Sequence, residues 1–335
     1  MKKKIVLTGD RPTGKLHLGH YIGSIKNRVR LQNESEESYY MIADLQALTD
    51  NADNPSKVTE NVIEVILDNL ACGLDPKKTT FFIQSSIPQI AEMTVFFLNL
   101  VTLARLKRNP TVKSEMKQKG FGENVPTGFL AYPISQAADI LFLRSNTIPV
   151  GNDQLPVIEQ TNEIVRKFNS IYGDFFEEVE PVLSNYSRLV GIDGNEKAGK
   201  SLGNAIYLSD DLATITKKVM SMYTDPNHLK VEDLGKVEGN VVFEYLDAFD
   251  ERKEEVAALK KQYRKGGLGD VVLKKRLIEV LENIIGPIRE KRKELEKDKE
   301  SVLKIVLDGN KKVLKKAEKR MEEMKRIMKI DYGNK

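Results

Sequence analysis

Apolar positions in the first half of the chain fall into short runs separated by longer stretches at helical spacing. Residues 5–7, 38–43, 79–84 and 147–150 are compact apolar or β-branched runs of strand length. Between them, the segment opening at His20, residues 55–70, 90 to about 106, the segment from Tyr132, and residues 156–172 predict helices. Strand and helix in alternation predict an α/β fold with a doubly wound parallel sheet, in which ligands lie beyond the carboxyl ends of the strands. From Asp210 onward the pattern is helical throughout, over 212–223, 239–249, 251–264, 271–285 and from Pro287 to the end with a break near Gly309. Pro226, Gly235, Gly266-Gly267 and Gly286-Pro287 punctuate these helices. The expected division is an α/β unit over 1–204, with a helical insertion at about 105–145, and an all-helical unit over 205–335.

Polar chemistry collects at the predicted strand ends. The first strand runs through the turn 9–14 into Lys15-Leu16-His17-Leu18-Gly19-His20 and the following helix. A strand, a Gly-containing turn and a helix in succession aim backbone N–H groups and the positive end of a helix dipole at one spot, which suits a phosphate. The chain has three histidines, and two of them, His17 and His20, stand here, each able to donate to a phosphate oxygen. A glycine turn with two surface histidines is the alternative. Asp44–Gln46, Gln84–Ser86 and Gly151-Asn152-Asp153-Gln154 occupy the other strand ends. Asp153 either caps the helix after it or accepts hydrogen bonds from a ribose.

Tyr132, Gln136 and Asp139, spaced i, i+4 and i+7, put three polar groups on one face of an otherwise apolar helix. Buried there, they require either a protein network or a polar ligand. Residues 105–122 carry Lys107, Arg108, Lys113, Lys117 and Lys119 and read as a mobile basic segment, a solvated loop unless one lysine reaches a triphosphate. Residues 191–204 hold four glycines with Lys197 and Lys200, the pattern of a flexible cationic flap.

Composition narrows the classes. At 335 residues, 40% hydrophobic and 30% charged, the chain has a soluble globular balance, and disorder is not expected. Its basic N-terminus precedes only a three-residue apolar run, and no apolar stretch reaches spanning length, so a cytoplasmic protein without membrane association is expected. The single cysteine, Cys72, excludes internal disulfides and a cysteine metal cluster and reads as a packed small residue. Residues 205–335 hold 30 Lys and Arg against 25 Asp and Glu, a surplus absent from the rest of the chain. That surplus suits a polyanionic partner, or simply solvated helix faces.

In order along the chain stand Thr8-Gly9-Asp10-Arg11-Pro12-Thr13-Gly14 with His17-Leu18-Gly19-His20, Tyr132-Pro133 with Ala137-Ala138-Asp139-Ile140, Pro149-Val150-Gly151-Asn152-Asp153-Gln154, and Lys197-Ala198-Gly199-Lys200-Ser201. With Tyr223-Thr224-Asp225-Pro226 and Glu238-Gly239-Asn240, this set resembles the class I aminoacyl-tRNA synthetases, most closely the bacterial tryptophanyl enzymes, from about residue 3 to at least 290. The resemblance implies a Rossmann-like catalytic domain over 1–204 and a helical anticodon-binding domain over 205–335. It further implies ATP with Mg²⁺, L-tryptophan and a tryptophan tRNA as ligands, a homodimer, and no metal-ligating side chain.

By motif position, the resemblance gives His17, His20 and Lys200 the ATP phosphates, with Lys197, Gly199 and Ser201 in the closing loop and Lys113 as a mobile-loop lysine. Asp10, Arg11, Thr13, Gly19, Gly151, Asn152 and Asp153 would line the nucleotide, Asp153 facing its ribose. Asp139 would accept the indole N–H and Tyr132 with Gln154 would hold the ammonium group, among Leu7, Gln46, Gln136 and Val150. The amino acid's own carboxylate would attack the α-phosphate, so no protein nucleophile or general base is needed, in keeping with the lack of a Ser/His/Asp or Cys/His arrangement.

Two departures stand out. Ala198 and Gly199 replace the usual apolar anchor and hydroxyl of the Lys-Met-Ser-Lys-Ser loop, so a floppier loop with slower closure or weaker ATP binding is expected. Gln136 stands where many tryptophan enzymes carry methionine. Tyrosine–tRNA ligase, a non-catalytic synthetase paralogue and a nucleotidylyltransferase of the same superfamily are the alternatives.

Overall fold

The computed structural model describes residues 3–49, 51–184, 186, 189–194 and 198–332. Within them, β1 (Ile5–Asp10) leads through α1 (Leu18–His20) and a π-helical turn (Tyr21–Ile25) into α2 (Lys26–Leu31). Then follow β2 (Glu37–Ile42), α3 (Asp44–Leu48), α4 (Pro55–Ala71), β3 (Thr79–Ile83), α5 (Pro88–Leu98), α6 (Leu103–Arg108), α7 (Pro110–Lys119) and α8 (Thr127–Leu141). β4 (Thr147–Val150), α9 (Leu155–Tyr172) and β5 (Glu180–Leu183) complete the sheet, in the order β3-β2-β1-β4-β5, and every pairing is parallel.

Successive β2 residues feed opposite cores, as a pleat of period two requires. Tyr40 and Ile42 join Phe81 in one hydrophobic cluster with Val65 and Ile66 of α4. Tyr39 and Met41 join Phe82 in the other, with α5, α8 and α9. β1 pairs with β2 on one side and β4 on the other, so the winding reverses between β1 and β4. A crevice opens at such a reversal, beyond the carboxyl ends of both strands.

The remaining helices are α10 (Leu212–Met220), α11 (Val241–Phe249), α12 (Lys253–Lys265), α13 (Asp270–Glu296) and α14 (Lys299–Ile327). The core is continuous across residue 204: one cluster joins Leu16, Leu18 and Ile25 to Val219, Leu273 and Leu277. Val313, Ala317 and Met321 of α14 belong to the sheet's other cluster.

Several boundaries differ from the sequence pattern. The basic stretch expected to be a loop contains α7, started by the Asn109 side chain accepting from the Thr111 N–H with Pro110 in the first turn. Gly120 at φ 65° ends it. The helix expected over 90–106 is two helices, α5 and α6. The break expected near Gly309 lies instead at residues 297–298, where Asp298 caps α14 through the Ser301 N–H. Gly309 serves close approach: a Cβ there would stand 1.8 Å from the Phe81 carbonyl oxygen. The next residue, Asn310, accepts from the Ile83 N–H at 2.8 Å, so α14 covers the β3 edge of the sheet. β5 escaped the hydrophobic pattern because it is a short, exposed edge strand carrying Pro181.

Cys72 follows α4 as a free thiol, and burial raises its pKa, which fits packing and not nucleophilic chemistry. Among the described residues, no helix is long and apolar enough to cross a membrane.

Substituting Gly309→Ala should force α14 away from β3 and cost about 1–3 kcal/mol, as overpacking does. Urea unfolding measures it, and wild-type stability would show that the helix shifts freely.

Candidate active site

Glycine is required at position 9, where a Cβ would meet the Met41 carbonyl oxygen at 2.4 Å. The Asp10 carboxylate after it turns inward, accepting from Arg28 at 2.8 Å, Tyr40 Oη at 2.9 Å and Asn69 Nδ2 at 3.1 Å. Burial opposes this carboxylate's charge, but the Arg28 guanidinium outweighs it and holds the pKa below the usual range. Asp10 thus lines the crevice while its oxygens fasten β1 to α2, β2 and α4.

The histidines are fixed by the backbone of the helix they open. His17 Nδ1 accepts from the Gly19 N–H at 3.1 Å, and His20 Nδ1 accepts from the His17 N–H at 3.3 Å. With both Nδ1 atoms accepting, each neutral ring carries its proton on Nε2. Their ring centroids lie 4.0 Å apart. Burial, and then the neighbouring His17, pushes the His20 pKa well below the ordinary histidine value. His20 is therefore a neutral hydrogen-bond donor near pH 7.

A cavity of about 370 Å³ occupies the crevice. Asp10, Arg11, Thr13 and His20 form its wall on the β1 side; Val150, Gly151 and Gln154 form the wall on the β4 side. Tyr132 and Gln136 of α8 and Gln46 close its far end. Glu115 of α7 and Phe129, Thr49 and Arg28 also line it, and the sequence pattern singled out none of these. Glu115 was hidden by reading residues 105–122 as a loop. Burial, and then the Glu115 carboxylate, raises the Tyr132 pKa and keeps its hydroxyl protonated.

Asp139 lies beneath the α8 face and is 1% exposed. Gln84 Nε2 donates to its Oδ1 at 2.7 Å and Gln46 Nε2 to its Oδ2 at 3.2 Å. Gln84 Oε1 in turn accepts from the Gln46 N–H at 3.2 Å. Burial pushes the Asp139 carboxyl up to about 7. The result is a buried acceptor whose orienting amides come from two other strand ends.

Lys200 reaches across to the first turn, where its Nζ donates to the Gly14 carbonyl at 2.6 Å and lies 3.5 Å from Thr13 Oγ1. Burial lowers its pKa to about 8. The flap around it is pinned where the sequence suggested looseness. Ala198 is buried and its N–H donates to the Leu189 carbonyl, while the Gly199 N–H donates to Asn204 Oδ1 at 2.9 Å. Lys197 lies outside the described residues, as does the Ser201 side chain.

Other sequence candidates sit apart from the cavity wall. Leu7 is buried in the core of β1. Lys113 is exposed on α7, and residues two apart do not share a helix face, so Glu115 points to the cavity instead. Asn152 and Asp153 are exposed at the rim, Asp153 accepting from Gln154 Nε2 at 3.2 Å.

A Gly-containing turn, a lysine reaching it from a second loop and a buried carboxylate thus gather about one switch-point crevice of an α/β fold. The sequence profile of the class I tRNA synthetases for W and Y matches residues 1–286, and the chain belongs to that family. It is an aminoacyl-tRNA synthetase. Over 339 residues it is 55% identical to a Tryptophan--tRNA ligase of Streptococcus pyogenes, covering 99% of this chain and 100% of that one. It is 54% identical to that of Streptococcus pneumoniae, covering both chains fully at 100%.

Among solved structures, the tryptophanyl-tRNA synthetase of Campylobacter jejuni complexed with ADP and tryptophane superposes with a TM-score of 0.83 at 29% identity, over 97% of this chain and 99% of that one. That of Mycoplasma pneumoniae, at 24% identity and a TM-score of 0.80 over 98% of each chain, shares the fold.

Because native Asp139 holds its proton up to about 7 and an unfolded aspartate only to about 4, the native state loses relative stability as pH rises between them. Asp139→Asn removes that titration. The melting temperature of the variant minus that of wild type should therefore grow from pH 4 to pH 8, and a constant difference would mean that Asp139 titrates normally.

Proposed function

We propose that the chain is a tryptophan–tRNA ligase that activates L-tryptophan with ATP and transfers it to the 3′ end of its tRNA. The carrying observation is the crevice lined by Arg11, Thr13, His20, Gln46, Tyr132 and Gln154, with Lys200 bonded to its first turn through the Gly14 carbonyl and the buried Asp139 carboxylate held by Gln46 and Gln84. The full-length likeness to curated Tryptophan--tRNA ligases supports the same amino acid.

In the first step a carboxylate oxygen of tryptophan attacks the α-phosphorus of ATP. The bond to the bridging oxygen breaks and pyrophosphate leaves with that electron pair. His17 and His20 donate Nε2–H to the phosphates, and Lys200 exchanges the Gly14 carbonyl for the leaving pyrophosphate. Catalysis is positioning plus charge neutralisation, which requires no covalent intermediate with the protein. Arg11, Thr13 and Gly19 lie along the phosphates, and Gly151 with Asp153 faces the ribose.

Asp139 accepts the indole N–H on the oxygen that Gln46 occupies, while Tyr132 and Gln154 hold the ammonium group. Mg²⁺ brought with the triphosphate as part of the substrate would supply further charge neutralisation beside the histidines and Lys200. In the second step a ribose hydroxyl of the tRNA takes the aminoacyl group and AMP leaves. The basic helical stretch after residue 204 receives the anticodon end. Val95, Leu98 and Leu103, exposed apolar side chains along α5 and α6, support a homodimer interface, which sedimentation of a monomer would exclude.

ATP–pyrophosphate exchange tests the assignment. Tryptophan should support exchange and tyrosine about 10³-fold less or worse, because a buried acceptor built for one ring donor rejects another geometry. Exchange with tyrosine alone would move the chain to the tyrosine enzymes, and no exchange with either would make it a non-catalytic paralogue. Lys200→Ala should lower the exchange rate about 10²- to 10³-fold, as loss of a donor to developing charge does. A wild-type rate would remove Lys200 from the phosphates.

A further inference from the structure

Two arginines one turn apart on α13, Arg289 and Arg292, reach the phosphate-binding turn by separate routes. Arg292 is buried, and its NH1 donates to Asp68 Oδ1 at 2.7 Å. Its NH2 pairs with Glu64 at 2.5 Å and with Glu296 at 3.0 Å. Asp68, on α4, is fully buried, and its other oxygen accepts from the Leu16 N–H at 2.6 Å. Leu16 immediately precedes His17.

On the second route, Arg289 NH1 donates to the Asp210 carbonyl at 3.0 Å. The Asp210 carboxylate accepts from the Tyr207 N–H at 2.9 Å and from Lys218 Nζ at 2.6 Å. Tyr207 sits in the segment that pairs with residues 16–18, where the Leu18 N–H donates to the Ile206 carbonyl at 2.9 Å and the Leu208 N–H to the Leu16 carbonyl at 3.0 Å.

We infer that Arg292 and Arg289 are positioning residues for adenylate formation, clamping the His17–His20 turn from both sides so that the helical part of the chain sets the site's affinity for ATP. This rests on that turn holding the ATP phosphates. A buried ion pair adds little net stability compared with apolar packing, but it is directional. Here the direction ends on a single N–H. Displacing Leu16 displaces His17, whose ring caps α1 and whose N–H orients His20. Burial pushes the Asp68 carboxyl up to about 6 against the pull of Arg292, so the link remains ionic near pH 7. None of these bonds ends on α8 or β4, which carry Tyr132, Gln136 and Val150 of the amino-acid half.

The test is ATP–pyrophosphate exchange in the full chain, with KM taken separately for ATP and tryptophan and the melting temperature recorded for each variant. Asp68→Asn and Arg292→Gln should each raise KM for ATP about tenfold, a typical coupling magnitude, and leave KM for tryptophan unchanged. The double variant should be no worse than the poorer single one, because both break one link. Arg292→Lys should recover most of the loss.

Should the buried variants fail to fold, Arg289→Gln reads the second arm and should raise the same constant. An unchanged KM for ATP, or equal rises in both constants, would overturn the clamp and leave these residues purely structural. Absence of exchange in the wild-type protein would instead overturn the functional assignment on which the clamp rests.

Discussion

The crevice depends on one buried ion pair at the end of β1. Asp10 and Arg28 are nearly inaccessible, and alone each would carry a large desolvation cost. Tyr40 from β2 and Asn69 from α4 complete the network, with Asn69 Nδ2 donating to the Tyr40 hydroxyl at 2.9 Å and Arg28 NH1 to Asn69 Oδ1 at 3.0 Å. Four elements therefore meet on one carboxylate. The turn that follows begins from a residue tied to three other elements, and it leads on to His17 and His20.

The same burial controls charge throughout the site. His20 is pushed toward its neutral form, Asp139 up to about 7 and Lys200 down to about 8. Each group moves toward its uncharged state because the protein around it solvates charge poorly. The crevice wall also carries Asp10, Arg11, Arg28 and Glu115. At about 8, Lys200 still carries its ammonium at pH 7.

Much of this was legible in the sequence because the physics is local. Strand-length runs, the polar residues at their ends and the polar face of the Tyr132 helix singled out His20, Gln46, Tyr132, Gln136 and Gln154, which line one crevice, and His17, which is buried beside His20. The losses came where local pattern and tertiary context diverge. Asn109-Pro110 is a helix start, but the lysines around it masked the signal, so Glu115 was overlooked and Lys113 was favoured. Gly309 reads as a breaker locally, yet its function is set by a carbonyl more than two hundred residues away. Arg28 and Asp68 are charged residues in helical stretches and look solvent-facing until packing buries them. The Ala198-Gly199 pair suggested a slack flap because nothing in its immediate sequence announces the Asn204 side chain that pins it.

The position of α14 has a consequence for how the chain is made. The edge of β3 is closed by Asn310 and by the backbone contact at Gly309, both of which follow β5 in the chain. During synthesis, the sheet can assemble as soon as β5 emerges, but its β3 edge remains an open template for foreign strands until α14 leaves the ribosome. The protein that serves translation therefore has one edge unguarded from the emergence of β5 until that of α14.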